Sequence, residues 1–132
     1  MATWRDVRRI ALALPDTSEG QTYGDNASWS VNKKMFLWER PLNRSDIAAL
    51  GEDAPTGPIL GARTADLEMK EALLAGNPRA FFTTPHFDGY AAVLIRLGKI
   101  SLKELKAVIE EAWLCRAGKR AAASYLNARK GG

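Results

Sequence analysis

One cysteine, one histidine and no long apolar run leave this 132-residue chain few of the usual routes to chemistry. Cys115 alone cannot close an internal disulfide. His86 and Cys115 lie far apart with no paired-ligand spacing, so neither a metal nor a cofactor is expected. No apolar stretch approaches bilayer length, so a membrane is not expected as a partner. Charges interrupt Met1-Ala2-Thr3-Trp4-Arg5-Asp6 at once, which leaves no signal-peptide core. With a single thiol as well, cytoplasmic residence is the expectation. There is no phosphate-loop or dinucleotide glycine pattern, and Gly57-Pro58-Ile59-Leu60-Gly61 reads as turn chemistry. Reactions that need a metal, a thiolate or a nucleotide loop lose their sequence support.

What the chain does have is an ordinary globular balance, 46% hydrophobic and 26% charged, which excludes wholesale disorder. Its length fits one domain over residues 1–132 around one core. The net charge of +4 is unevenly spread. From Lys99 onward eight Lys or Arg face three Glu, a balance of +5, and the preceding residues balance at −1. The positive field therefore gathers toward the C-terminus.

Capping and periodicity place the elements. Thr3 with Asp6 opens a first helix, where Val7, Ile10, Ala11 and Leu14 recur at helical spacing until Pro15 stops it. Residues 16–26 read as a connector or a short edge strand. Ala27–Val31 and Met35–Arg40 form a first hairpin across Asn32-Lys33-Lys34. Strict alternation in its second strand would set Phe36 and Trp38 on one face, Met35 and Leu37 on the other. A short helix over Ser45–Leu50, capped by Ser45, a strand over Pro58–Arg63 and a helix from Thr64 to Ala75 follow. Phe81–Thr84 and Ala91–Leu97 form a second hairpin around Pro85-His86-Phe87-Asp88-Gly89-Tyr90. Ser101-Leu102-Lys103-Glu104 is a capping box opening a long helix that breaks at Ala117-Gly118. A last helix over Lys119–Ala128 should turn Ala122, Tyr125 and Leu126 inward, ahead of a frayed Gly131-Gly132. The class is α+β: a two-layer fold, an antiparallel sheet of about five strands with helices on one face, one N-terminal and two C-terminal.

The run from Pro85-His86-Phe87-Asp88-Gly89-Tyr90 into Ala92-Val93-Leu94-Ile95-Arg96-Leu97 resembles the signature of the MmcQ/YjbR-like family. Lys34-Met35-Phe36, Arg63-Thr64, Lys70-Glu71-Ala72-Leu73-Leu74 and Ala112-Trp113 agree with it in order along nearly the whole chain. Ala117-Gly118 departs from it, since a Pro-containing break is expected there. The resemblance implies a CyaY-like or secretion-chaperone-like α+β domain with a double-wing DNA-binding motif and no established catalysis. Residues 27–40 and 81–97 would be the two wings. A frataxin-like acidic iron ridge is not expected, because the first helix carries Arg5, Arg8 and Arg9.

Two functions of different class follow. In the first, DNA is the partner, with Lys33, Lys34, Arg96, Lys119 and Arg120 neutralising phosphates, Arg129 and Lys130 behind them, and Trp29, Trp38 or Tyr90 stacking. The bland alternative is a solvated Lys-Lys turn, edge lysines that deter aggregation, and core aromatics. In the second, a small anionic ligand or a protein docks on an open sheet face around Phe36, Trp38, Leu94 and Arg96, with His86 and Tyr90 nearby. Either state, monomer or homodimer through that face, is compatible. His86 with Asp88 lacks a nucleophile, so His86 is expected to satisfy carbonyls of its own turn, and no enzyme is expected. Cys115 is expected to pack as a small hydrophobe.

Overall fold

The structure is a computed structural model that describes residues 2–131, without the side chains of Tyr23, Asp53, Arg129 and Lys130. In chain order its elements are α1 (Trp4–Leu12), β1 (Thr17–Gln21), β2 (Ala27–Val31), β3 (Lys34–Glu39), α2 (Arg44–Leu50), β4 (Ile59–Arg63), α3 (Leu67–Gly76), β5 (Phe81–Phe82), β6 (Ala92–Arg96), α4 (Leu102–Ala117) and α5 (Lys119–Gly131). One antiparallel sheet runs in the order β1-β2-β3-β4-β6-β5. The sixth strand is β1, whose polar Thr-Ser-Glu-Gly-Gln has no apolar alternation to announce it. Arg8 and Trp29 secure it: Arg8 donates to both carboxylate oxygens of Glu19, and Trp29 Nε1 donates to Oε1 at 3.0 Å.

Local rules explain most boundaries. Thr3 and Asp6 close the reciprocal capping box that starts α1. Helix α2 starts one residue earlier than expected, because Asn43 is its cap and Asp46 completes the box, not Ser45. Asp66 caps α3, so Thr64 and Ala65 precede the helix. Ser101 caps α4 as expected, but Glu104 turns away and accepts from Asn77 Nδ2 at 2.6 Å. Half of that capping box is thereby spent on joining α4 to the end of α3. In α5, which runs on to Gly131, Tyr125 packs on Trp113 with ring centroids 5.0 Å apart. Ala121 joins it against the core while Leu126 stays exposed. Gly132 lies outside the described residues.

The sheet face is sorted by one irregularity. Asn32 and Lys33 both adopt positive φ, the two-residue hairpin turn whose twist matches its strands. Just beyond it, Ser30 pairs with Met35 but Trp29 pairs with Leu37, so Phe36 is an extra, bulged residue. Phe36 and Leu37 consequently both enter the core beneath the helices, and Met35 shares the opposite face with Trp38. This corrects the strict alternation expected for β3. The main core joins α1, α4 and the sheet through Trp29, Leu60, Phe81, Ile95, Ile109 and Trp113. A second cluster lies on the other face, where Trp38, Ile59, Phe82, Phe87 and Leu94 meet Leu42 and Leu50. That face is therefore covered in part by α2 and the 85–90 turn, not open.

Candidate functional site

The turn after β5 is a short 3-10 turn, Pro85–Phe87, followed by Gly89 at φ 81°. Its conformation is held from behind. Lys70, buried on α3, donates from Nζ to the carbonyl oxygens of Phe87 at 2.6 Å and Tyr90 at 3.0 Å. Burial lowers the Lys70 pKa, with Asp88 and Glu71 pulling the other way. His86 makes no hydrogen bond among the described residues and sits edge-on to Phe87, centroids 4.9 Å apart. The carbonyl-satisfying role expected of His86 belongs to Lys70, a residue that helical spacing alone does not single out.

Held this way, the turn walls a pocket of about 330 Å³ together with Trp38, Arg40 and Arg63. Trp38 can lie flat on the sheet because its cross-strand partner is Gly61. A Cβ on Gly61 would stand 2.3 Å from the indole. Arg40 lies 5.4 Å from the Phe87 ring centroid and pairs with the buried Asp46 at 3.0 Å. The guanidinium of Arg63, a half-buried residue, lies 5.8 Å from the centroid of Trp38 and makes no hydrogen bond or ion pair among the described residues. Its Nε is enclosed and without a partner.

The sheet's register also sorts the basic residues by end. Val31 pairs with Lys34 at the first hairpin's tip, and Arg63 pairs with Ala92 where the second hairpin turns. Leu37 pairs with Ala62, which sets both tips at the same end of the sheet. The close of α4 comes to that end too. Trp113 Nε1 donates to the Pro15 oxygen at 3.0 Å, and Thr17 pairs with Val31 beside the tip. Cys115 lies within the electrostatic reach of Arg63. The α4–α5 corner, and with it the start of α5 at Lys119 and Arg120, therefore lies at this end of the sheet, the end of Lys33 and Lys34. All four are exposed, and none has an ion pair among the described residues. Arg116 adds a second half-buried guanidinium with an unpartnered Nε.

The family model for YjbR matches residues 12–115. The chain belongs to the YjbR family. The uncharacterized protein Rv2570 of Mycobacterium tuberculosis is 46% identical over 129 residues, 96% of this chain and 97% of its own length. Uncharacterized protein Mb2600 of Mycobacterium bovis matches to the same extent. A crystal structure of Deinococcus radiodurans protein DR2400, with a DUF419 domain, superposes with a TM-score of 0.67 at 20% identity. That match covers 96% of this chain and 89% of the other, and it establishes the fold.

In this YjbR-family chain the expected site residues divide. Lys33, Lys34, Lys119 and Arg120 share one end of the sheet. Arg96 does not: at the other end, its guanidinium lies 4.3 Å from the Phe82 centroid and donates to the Pro78 and Arg79 carbonyls. Trp38, His86 and Tyr90 do meet in one pocket, with Arg63 and Arg40 as the cations there instead of Arg96. Phe36 is lost to the opposite face through the bulge, and Leu94 is sealed under the second cluster. Among the aromatics expected to stack, Trp29 is core, 6.4 Å from Trp4, and Tyr90 is the exposed one. The side chains of Arg129 and Lys130 lie outside the described residues. Cys115 is exposed, not packed inward, with its thiol donating to the Ala112 oxygen. Partial burial of the sulfur raises its pKa against the pull of Arg116 and Arg63, which works against a reactive thiolate. Arg63 and Lys70 both fall in stretches that carry the family resemblance. Period-two alternation from Gly61 would have set Arg63 on the face of Trp38, but no local pattern gives Lys70 its role.

Proposed function

We propose that this protein is a nucleic-acid-binding protein and not an enzyme, gripping phosphates at the end of the sheet where both hairpins turn. What supports the reading is that Lys33, Lys34, Lys119 and Arg120 lie toward that end of the sheet, exposed and without carboxylate partners among the described residues. Lysines act as mobile point charges, so they suit backbone phosphates better than base edges. Sequence-tolerant binding is the expected mode. Tyr90, 57% exposed on the second hairpin's turn at the same end of the sheet, offers a stacking surface. This agrees with the double-wing motif that the family resemblance implies, with the wing tips rather than the strand residue Arg96 as the contacts.

Charge reversal tests it. Lys33→Glu with Lys34→Glu, and separately Lys119→Glu with Arg120→Glu, should each weaken binding to a short duplex by about tenfold or more at low salt. Arg96→Gln should leave it unchanged. Retention of full affinity by both double variants would remove the proposal.

A further inference from the structure

The pocket behind the second hairpin's turn has a chemistry of its own, independent of the basic end's reading. Its size, about 330 Å³, is at the small end of the range for ligand pockets and suits a single ring with one substituent. Trp38, Phe87 and Tyr90 supply flat apolar surface, and no Asp or Glu among the described residues lines it.

Its two arginines are in opposite states. Arg40 is compensated by Asp46 at 3.0 Å. Arg63 is not. It is half-buried, stacked toward Trp38, and its side chain has no hydrogen bond or ion pair among the described residues. Withdrawing even the Nε of a guanidinium from water without a partner is costly, and an anion on the more open nitrogens of Arg63 would offset that cost. The wall opposite is already rigid, because Lys70 holds the carbonyls of Phe87 and Tyr90. A preformed wall lowers the ordering cost of binding.

We infer that this pocket binds a planar aromatic anion, its ring among Trp38, Phe87 and Tyr90 and its carboxylate or phosphate on Arg63. His86 stands at the rim as a further polar contact.

Benzoate, phenyl phosphate and benzamide share the ring and differ in charge, so they separate these contributions. In NMR titrations at least one of the two anions should shift the Tyr90 and Trp38 resonances saturably. Benzamide should bind at least about tenfold more weakly, since it leaves Arg63 without its counter-charge. Whichever anion binds more tightly identifies the carboxylate or the phosphate as the natural group. Arg63→Gln should weaken the preferred anion about tenfold or more, and Tyr90→Ala, a surface change that leaves the fold intact, about threefold. The Lys33→Glu/Lys34→Glu variant should keep the ligand, so this inference and the nucleic-acid reading fail separately. No saturable shift with either anion up to about 20 mM would overturn it, as would benzamide binding as tightly as the anions. Full affinity in both Arg63→Gln and Tyr90→Ala would do the same.

Discussion

Lys70 Nζ lies 2.6 Å from the carbonyl oxygen of Phe87 and 3.0 Å from that of Tyr90, so a helix side chain fixes the shape of a hairpin turn. Replacement by Met keeps the volume and removes a charged donor from both carbonyls. That leaves Phe87 O only the Tyr90 amide and Tyr90 O only the Ala92 amide, and the lost Phe87 bond is buried. Lys70→Met should therefore destabilise the fold by about 1–3 kcal/mol in urea denaturation. Hydrogen exchange should quicken at the Asp88 and Tyr90 amides, which close the same turn onto Pro85 and Phe87. A variant as stable and as protected as the parent would show that the turn holds itself.

The same lysine gives a pH dependence of definite sign. Its folded pKa is lowered by burial, so between that value and the ordinary lysine value the unfolded chain binds more protons than the folded one. Stability conferred by Lys70 must then rise with pH across that alkaline window and be flat below it. The difference in unfolding free energy between the parent and Lys70→Met should grow in favour of the parent as pH climbs through the window. A difference that shrinks there would contradict the burial.

Trp38 lies over Gly61, with no space for even one carbon between them. Gly61→Ala should force the indole off the sheet and cost about 1–3 kcal/mol. Combining it with Trp38→Leu should recover part of that loss, because the clash goes with the indole. Additive losses in a double-mutant cycle would disprove the contact.

Arg40 and Asp46 form an ion pair with little solvent access on either side, and Asp46 also caps α2 through the Asn43 amide. Asp46→Asn retains much of the cap and removes the charge. It should cost about 3 kcal/mol by leaving the largely shielded Arg40 guanidinium without its counter-charge, measurable by denaturation. A cost typical of exposed pairs, under about 1 kcal/mol, would place the pair in solvent.

The parts of the fold legible in the sequence are those set by neighbouring residues. Thr3, Ser101, Pro15 and Gly118 mark helix ends because caps and breakers act within one turn. The pair of tips at one end of the sheet is not legible there, since it depends on β4 inserting between the two hairpins. The bulge at Phe36 is hidden because Met35, Phe36, Leu37 and Trp38 are all apolar, so a one-residue slip leaves no trace in the pattern. Strand β1 is polar and held by Arg8 and Trp29 from other elements. Lys70 and Arg63 look like surface residues in any helix or strand; only tertiary placement makes one a clamp and the other an unpaired cation. The chemistry of Trp38, His86 and Tyr90 singles them out and they do converge, whereas Arg96, singled out on the same grounds, points at Phe82 and backbone carbonyls.

Salt dependence addresses nucleic-acid binding most directly. Affinity for a short DNA duplex, measured by fluorescence anisotropy across about 25–200 mM salt, should fall steeply. With Lys33, Lys34, Lys119 and Arg120 each on a phosphate, the slope of log affinity against log salt should be near about −4. The Lys33→Glu/Lys34→Glu variant should lower its magnitude by about two. No measurable binding at the lowest salt, or a slope near zero, would contradict the assignment of this end of the sheet to nucleic acid.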